Sequence, residues 1–392
     1  MEAPAYGEAL AAAYSTMHRA RSDSTHSRRQ RVATTFAQFL GRLPSHLGKD
    51  FATATAHDVL VFLGAEWRPH HGRTRLLDGS LVASASGLGN AISALNTVFS
   101  VMGRRGEWDP FTNQGNPCES PEVRDFRSGY SHELWDDKIE PTAATPLPET
   151  KVLALVEHLD LQRSQLTAAL VPGDSRFWRI RVLLLERDAL LFTYLSASIQ
   201  RGGEGARLRV CDVRSTQVDG VTGVTLPLGD ALSSADPTSV VIHPNGVKTR
   251  RRRHCGSFSL LPHSDPRLCF IRRLAAFSHS CSALGMPLQS PAGFIFRIMD
   301  PHNRSRLAES PLTVSAALSR LRAGLKSLGE YQGETMHSFR RAGMQADQDA
   351  GVSPPVTMKR ALITSTSSYN LYTNKQRPTK ALKLSLPLTG AQ

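Results

Sequence analysis

Residues 335–341 read Thr-Met-His-Ser-Phe-Arg-Arg. His337 and Arg340 in this stretch lie three positions apart, which on a helix puts both side chains on one face. Further upstream, Arg201 precedes Glu204 by the same interval in the sequence Gln-Arg-Gly-Gly-Glu. Taken singly, each pattern is most often a solvated helix face or a surface ion pair. Their value comes from occurring together with a lysine and a tyrosine in a fixed order.

Lys248 lies between the two arginine motifs, in a Gly-Val-Lys-Thr turn, and Tyr372 follows both. A phosphodiester bond can be broken when a tyrosine oxygen attacks phosphorus and forms a stable ester. Negative charge then grows on the nonbridging oxygens, and two guanidinium groups suit them because each is planar, always charged and bidentate. A lysine whose pKa is lowered by neighbouring cations can protonate the leaving 5′ oxygen. The ordered set therefore predicts metal-independent cleavage of a DNA strand.

In this order and spacing, the residues resemble the tyrosine recombinase (phage integrase) superfamily. The resemblance implies a multidomain fold: an all-α N-terminal core-binding bundle and an α+β catalytic domain with a small antiparallel sheet. It implies that Arg201 and Arg340 bind the scissile phosphate, and that Lys248 is the general acid on a turn of the sheet. His337 would assist proton transfer or hold the phosphate, and Glu204 would brace the site.

The resemblance also assigns the nucleophile to Tyr372, which would form a 3′-phosphotyrosyl link. Tyr369, three residues earlier on the same helical face, is the alternative nucleophile. The chain departs from the family at Ile363, nine residues before Tyr372, where members usually carry a histidine or tryptophan against the phosphate. An isoleucine supplies no polar atom for that contact. Gln200 replaces the aliphatic residue that usually precedes the first arginine.

The chain of 392 residues is long enough for two domains. Apolar residues at helical spacing predict helices over residues 27–43, 57–67 and 85–102, and later over 149–159 and 177–196. Strand-like runs at 223–227, 239–243 and 255–261 come next, and helices return after residue 266. The predicted divisions are a flexible leader (1–25), a helical DNA-binding domain (26–130), a proline-rich linker (131–148) and a catalytic domain (149–385).

The net charge of +13 is unevenly spread. Residues 1–150 contain 15 Lys and Arg against 17 Asp and Glu, whereas residues 151–392 contain 32 against 17. A concentrated basic excess is the electrostatic footprint of a nucleic-acid partner. Double-stranded DNA is the expected partner, although charge alone is equally compatible with RNA.

Several classes of protein are disfavoured by composition. The five cysteines are an odd number without a C-x-x-C pair, which argues against a disulfide scaffold and against a zinc site. No uninterrupted apolar run reaches the roughly 18 residues of a membrane helix, and residues 1–13 make a poor signal peptide. We therefore expect no metal, no cofactor and no membrane, and an intracellular protein located in the nucleus of a eukaryote or in the cytoplasm and nucleoid of a bacterium.

Further arginines are predicted to contact DNA. Arg104 and Arg105 follow the helix over 85–102, Arg250, Arg251, Arg252 and Arg253 come directly after Lys248, and Arg341 adjoins Arg340. The run over 250–253 also fits a nuclear-targeting signal, but its position beside the lysine favours phosphate contact.

Recombination involves two duplexes, so the resemblance implies a homotetramer on DNA, with the basic tail after Tyr372 docking on a neighbour. Residues 116–130 resemble recombinases of eukaryotic mobile elements. Three other functions fit the same residues less well: a monomeric nicking-closing enzyme of topoisomerase IB type, a catalytically silent DNA-binding protein derived from a recombinase, and a basic RNA-binding protein. The last lacks the RNP aromatics, GXXG loops and zinc knuckles of common RNA modules.

Overall fold

The computed structural model describes residues 23–44, 48–72, 74–76, 79–137, 143–171, 173, 176–219, 222–227, 239–244, 257–288 and 290–376. The chain divides into two compact units after residue 141. Within the described ranges, no helix combines the length and the apolar character needed to cross a bilayer.

The first unit consists of helices packed around an aromatic core. They are α1 (Asp23–Arg42), α2 (Ala56–Val61), α3 (Ala85–Val101) and α4 (Pro121–Asp136), and α2 continues without a break as a π-helix (Phe62–Trp67) and a last α turn (Arg68–His70). The short strands β1 (Thr74–Arg75) and β2 (Leu81–Val82) pair antiparallel.

Phe36 of α1 lies at the centre of this core. The centroid of its ring is 5.0–6.1 Å from the rings of Phe39, Phe51, Phe62 and Phe99, which come from three helices and a loop. Aromatic pairs in such arrangements contribute energy beyond the area they bury. Because Phe36 and Phe39 belong to the predicted apolar stripe of α1, the helical spacing in the sequence accounts directly for this packing.

The second unit is an α+β domain. Its helices are α5 (Glu149–Ala168), α6 (Arg176–Ser198), α7 (Gly202–Gly205), α8 (Phe270–Ala283), α9 (Val314–Ser327), α10 (Ser338–Asp349), α11 (Pro354–Arg360) and α12 (Thr366–Thr373). The strands β3 (Val213–Asp219), β4 (Thr222–Pro227), β5 (Ser239–Ile242) and β6 (Phe258–Leu260) form an antiparallel sheet in the order β4-β3-β5-β6. Strands β7 (Arg297–Met299) and β8 (Leu307–Pro311) form a separate antiparallel pair.

Helix α6 runs through the core of this unit. Residues 187–195 are all buried, as expected for a helical stretch that is mainly apolar on every side. The ring of Phe192 on α6 stacks on that of Phe339 on α10, with centroids 5.8 Å apart. This contact fixes α10 against the end of α6, where the chain continues into Arg201.

The predicted fold class, a helical unit followed by an α+β unit with a small antiparallel sheet, is confirmed, with the β1–β2 pair as an addition in the first unit. Helix α5 extends to Ala168, well past the predicted end at residue 159, because the polar residues that follow are good helix formers and no breaker interrupts them.

The predicted linker over 131–148 is only partly an uncovered connector. Residues 131–136 belong to α4, and Leu147 is buried. The Thr145 hydroxyl donates to the Gln332 carbonyl at 3.0 Å, so this proline-rich segment packs on the second unit. The predicted leader also ends earlier, because α1 begins at Asp23; residues 1–22 lie outside the described residues.

Candidate active site

Helix α10 presents the His-x-x-Arg motif. His337 is the N-cap residue of the helix and is exposed, whereas Arg340 has no exposed surface. The backbone N–H of Leu147 donates to the Ser338 carbonyl at 3.2 Å, which ties the start of α10 to the segment before α5. The motif therefore has one solvent-facing and one enclosed member, rather than the fully solvated face that the pattern alone would favour.

Arg201 comes to the same place because glycine allows a close approach. It is the N-cap residue of α7, and its Nη1 lies 2.9 Å from Glu204 Oε1. A Cβ on Gly202 would be 2.5 Å from the Cβ of Met336, which real structures do not tolerate. Gly202 therefore lets the α7 turn pack directly on the residue before His337, and this packing brings Arg201 to the start of α10.

Arg340 is the most perturbed group of the site. Burial lowers the pKa of its guanidinium to about 10, the nearby Tyr372 opposes that shift, and the Arg201 charge adds to it. The group therefore remains cationic at neutral pH. The positive charge of Arg201 is close enough to act on it, as expected for a pair of guanidiniums that share one anionic ligand.

The hydrogen bonds of Arg340 leave one buried edge of the guanidinium without a partner among the described residues. Nη1 donates to the Ile199 carbonyl at 3.3 Å. Nε and Nη2, which share the side-on edge, have no hydrogen-bond partner among the described residues. That edge matches two oxygens of a carboxylate or phosphate. A buried cation with unsatisfied donors is costly, so an anionic ligand would be strongly favoured here.

Tyr372 lies on α12, close to both members of the α10 motif. Its hydroxyl is 3.5 Å from His337 Nδ1, and the Arg340 Cζ lies 5.1 Å from its ring centroid. The helix is started by Ser365, whose side chain accepts from the Ser368 N–H. Gln345 of α10 donates to the Tyr372 carbonyl at 3.3 Å, which holds the end of α12 on α10.

Tyr369, the alternative nucleophile, is more deeply buried than Tyr372. It is 5% exposed and belongs to an apolar cluster with Ile199, Met344 and Ile363. Tyr372 is half-buried and packs on the edge of that cluster. The geometry therefore favours Tyr372, because its hydroxyl is near the histidine and its ring near the arginine.

Ile363 is 5% exposed and packs in the same cluster, where it presents no polar atom to a ligand. Directly before it, Leu362 has φ +51°, and Ile199 has φ +53°. Asn113 is the third described non-glycine residue with positive φ, and asparagine tolerates that region well. For leucine and isoleucine the conformation costs about 1–3 kcal/mol each. Both strained residues therefore flank the candidate site.

A hydrogen bond joins these two strained segments. The Gln200 amide Nε2 donates to the Arg360 carbonyl at 3.2 Å, and Gln200 is 1% exposed. Ile199 and Gly343 were not singled out from the sequence, because the left-handed backbone of an isoleucine leaves no sequence signal. The glycine at 343, three residues after Arg340 in a helix, was a visible but nonspecific sign of close packing.

Lys248 and the run Arg250–Arg253 lie outside the described residues. The flanking strands β5 and β6 pair antiparallel, so the segment carrying these residues connects two neighbours of the small sheet. The roles assigned to them remain predictions. Among the described residues, no group of three or more His, Cys, Asp or Glu side chains is arranged to hold a metal ion.

The other predicted DNA contacts differ in their surroundings. Arg104 is half-buried and donates to the carbonyls of Phe51, Ala54, Asn113 and Gly115. Through these four hydrogen bonds the Arg104 guanidinium joins loops of the first unit.

Arg105, by contrast, is exposed, with its Nε on the Ser100 carbonyl at 3.0 Å. Arg341 is 2% exposed and donates from Nη2 to the Asn374 carbonyl at 2.6 Å. Of Arg104, Arg105 and Arg341, only Arg105 is exposed enough to contact a phosphate from solvent.

Neither a protein-family model nor a curated protein sequence matches the chain. Among solved structures, similar chains are the XerH site-specific recombinase bound to palindromic difH substrate in a post-cleavage complex (12% identity, 85% of this chain and 74% of that one, TM-score 0.49) and the Tn1549 transposon integrase in complex with transposon right end DNA (12%, 92% and 92%, 0.49). A lambda integrase dimer bound to a COC′ core site is similar as well (10%, 94% and 95%, 0.47). Likeness at this level concerns the fold and assigns no residue role.

Proposed function

We propose that this protein is a tyrosine-type site-specific DNA recombinase, or integrase, that cuts and rejoins DNA through a 3′-phosphotyrosyl intermediate. The observation that carries the proposal is the position of Tyr372. Its hydroxyl lies 3.5 Å from His337 Nδ1 while its ring lies over the buried Arg340 guanidinium. These contacts support the proposal that Tyr372 is the nucleophile, His337 the proton acceptor and Arg340 the phosphate-binding group.

In the proposed reaction each residue has one role in cleavage and the reverse role in religation. Tyr372 Oη attacks phosphorus, the P–O5′ bond breaks, and the tyrosine proton passes to His337. Arg201 and the unpaired Nε/Nη2 edge of Arg340 stabilise the growing charge on the nonbridging oxygens. Lys248 donates a proton to the departing 5′ oxygen. The bond energy is retained in the tyrosyl ester, so a 5′ hydroxyl reseals the strand by the reverse steps.

Glu204 is proposed to keep Arg201 in place. The ion pair at 2.9 Å joins two partly buried side chains, with 23% and 12% exposure. A carboxylate bound to one nitrogen of the guanidinium restricts its rotation and leaves its other donors to the ligand. The conformational entropy of the Arg201 side chain is then lost on folding rather than on DNA binding.

Duplex DNA is the proposed partner of the protein. Exchange between two duplexes requires four tyrosines, and hence a homotetramer on DNA. Lys375, at the start of the basic tail, forms an ion pair with Asp349 of its own chain. The tail proposed to dock on a neighbour therefore begins after that residue, and its part beyond Gln376 lies outside the described residues.

The proposed biological setting is a mobile genetic element, with action in the nucleus of a eukaryote or in the nucleoid of a bacterium. A eukaryotic origin rests on the sequence resemblance over residues 116–130 alone and remains a prediction.

A suicide substrate tests the proposal: nicked DNA with candidate element ends is incubated with protein in the presence of EDTA and then run on a denaturing gel. Wild-type protein is expected to form a covalent adduct that is absent with Tyr372→Phe and present with Tyr369→Phe. The second variant is the matched control, since it removes the same atom one helical turn away. An adduct lost only in Tyr369→Phe would transfer the role of nucleophile.

The rival from a different class, a catalytically silent DNA-binding protein, is favoured by Ile363, which offers no phosphate contact. Salt-sensitive DNA binding without any adduct would support that rival and contradict the proposed enzyme. Relaxation of supercoiled plasmid by the monomer, without strand exchange, would instead point to a topoisomerase IB-like activity.

A further inference from the structure

The link between α6 and α7 turns at a strained residue. Ile199 is fully buried and has φ +53°, although a β-branched side chain disfavours this region. Strained backbone of this kind persists only where the surrounding structure holds it. The surroundings of Ile199 should therefore reveal what the strain accomplishes.

Two of the contacts that Ile199 makes involve α10, in addition to its packing in the apolar cluster with Tyr369 and Ile363. Its carbonyl accepts from Arg340 Nη1 at 3.3 Å. Its side chain lies against Gly343, where an added Cβ would be only 2.7 Å from the Ile199 Cγ2. Gly343 is three residues after Arg340, so on a helix both face the same neighbour. Ile199 thus touches the arginine through its backbone and the supporting helix through its side chain.

The direction of the carbonyl depends on the left-handed backbone. If residue 199 had helical dihedrals, it would extend α6, and its carbonyl would point along the axis of that helix. With positive φ the chain turns, and the carbonyl instead reaches Nη1 of Arg340. Because a guanidinium is planar and rigid, fixing Nη1 also fixes the direction of the Nε/Nη2 edge.

We propose that Ile199 is a positioning residue for Arg340: its left-handed carbonyl, held in place by packing on Gly343, aims the Nε/Nη2 edge of the arginine at the scissile phosphate. This inference rests on the proposed function. It adds a residue that touches neither DNA nor the reacting atoms, and whose side chain has no chemistry of its own.

The test is a double-mutant cycle between Ile199 and Gly343, read as the single-turnover rate of adduct formation at saturating protein. Gly343→Ala places a methyl 2.7 Å from Cγ2 and pushes Ile199 away, although alanine is the better helix former. We expect a loss on the order of tenfold, since misplacing a catalytic group by about 1 Å can cost up to about 100-fold. Ile199→Ala removes Cγ2 and leaves Cβ, which is 3.6 Å from the new methyl, an ordinary contact. The double variant should therefore cleave at the rate of Ile199→Ala alone.

A second substrate separates positioning from general damage to the fold. A methylphosphonate at the scissile position lacks one negative charge, so its cleavage depends less on a correctly aimed arginine. The factor by which Gly343→Ala slows adduct formation is expected to be smaller on this substrate than on the phosphodiester. A folding defect would slow the reaction by the same factor on both substrates. Melting temperatures of all variants are measured alongside.

The outcomes are distinct. Wild-type rates in Gly343→Ala, or a double variant slower than Ile199→Ala alone, would overturn the positioning role while leaving the recombinase proposal intact. A defect of the same size on phosphate and methylphosphonate would also overturn it. Failure of the wild-type protein to form any adduct would overturn the proposed function and this inference together.

Discussion

Arg340 combines deep burial with a charge that the proposed chemistry needs. Its pKa, lowered to about 10, lies below the ordinary arginine value, so the cation is intact below that pH and is lost as pH rises through it. We predict that the rate of adduct formation at subsaturating DNA, which depends on the protonation state of the free protein, falls as pH rises through about 10. Rates measured between pH 7 and 11 test this.

The matched control is Arg340→Lys, which keeps the charge and loses the planar fork. A free lysine has a pKa of about 10.4, and burial at this position lowers it further. The fall in rate should therefore begin at lower pH in this variant than in wild type. An identical profile in both proteins would show that another group controls the decline.

Arg104 and Arg105 are adjacent in sequence but differ in what they contact. Arg104→Ala removes the donor for four backbone carbonyls, so we predict a loss of about 2 kcal/mol or more in the unfolding free energy. Arg105→Ala should change stability by less than about 0.5 kcal/mol and lower the salt dependence of DNA binding by about one unit of slope. Urea unfolding and binding titrations at several salt concentrations measure both. Equal stability of the two variants would contradict this assignment.

At the scale of elements, the candidate site depends on how α12 docks on α10. Arg341 and Gln345 of α10 donate to the carbonyls of Asn374 and Tyr372. We predict that Arg341→Ala slows adduct formation at least tenfold, because α12 and its tyrosine are then held less firmly on α10. The slope of log DNA affinity against log salt concentration should stay unchanged. A slope reduced by about one would instead identify Arg341 as a phosphate contact.

The elements also show what the sequence could predict. The spacing of apolar residues located α1, α3 and α6 well, because each buries a continuous stripe or its whole circumference. The start of α5 was located, but its end was not, since its polar final turns carry no stop signal. Likewise the π-helical turn at Phe62–Trp67 leaves no periodicity of its own.

Within the candidate site, sequence order and resemblance named Arg201, His337, Arg340 and Tyr372, and in the structure Tyr372 lies at both His337 and Arg340. The sequence did not separate exposed arginines from buried ones, because residue type alone does not show whether a guanidinium donates to backbone carbonyls or to a phosphate. It also gave no sign of Ile199, whose role depends on a backbone angle. Contacts of this kind are set by tertiary packing.

At the scale of the whole molecule, the positive charge is concentrated in residues 151–392. Arg250–Arg253 contribute four of these charges beside Lys248. We predict that replacing all four with alanine weakens binding equally on target and unrelated duplexes. The slope of log affinity against log salt should become shallower, by up to about 0.9 per lost phosphate contact. An unchanged slope would assign the run to another role, such as nuclear targeting.

The position of Tyr372 has a consequence for inheritance. Tyr372 contacts the histidine and arginine of its own chain. In a proposed tetramer, the neighbouring subunits therefore cannot supply a tyrosine to a subunit that lacks one. A cell that expresses both the normal gene and Tyr372→Phe would then build mixed assemblies that bind their sites and stall. The mutation should behave as dominant, with recombination frequency falling below half when the two are expressed equally. Recombination at half the normal frequency or above would mean that the copies act independently or share their tyrosines.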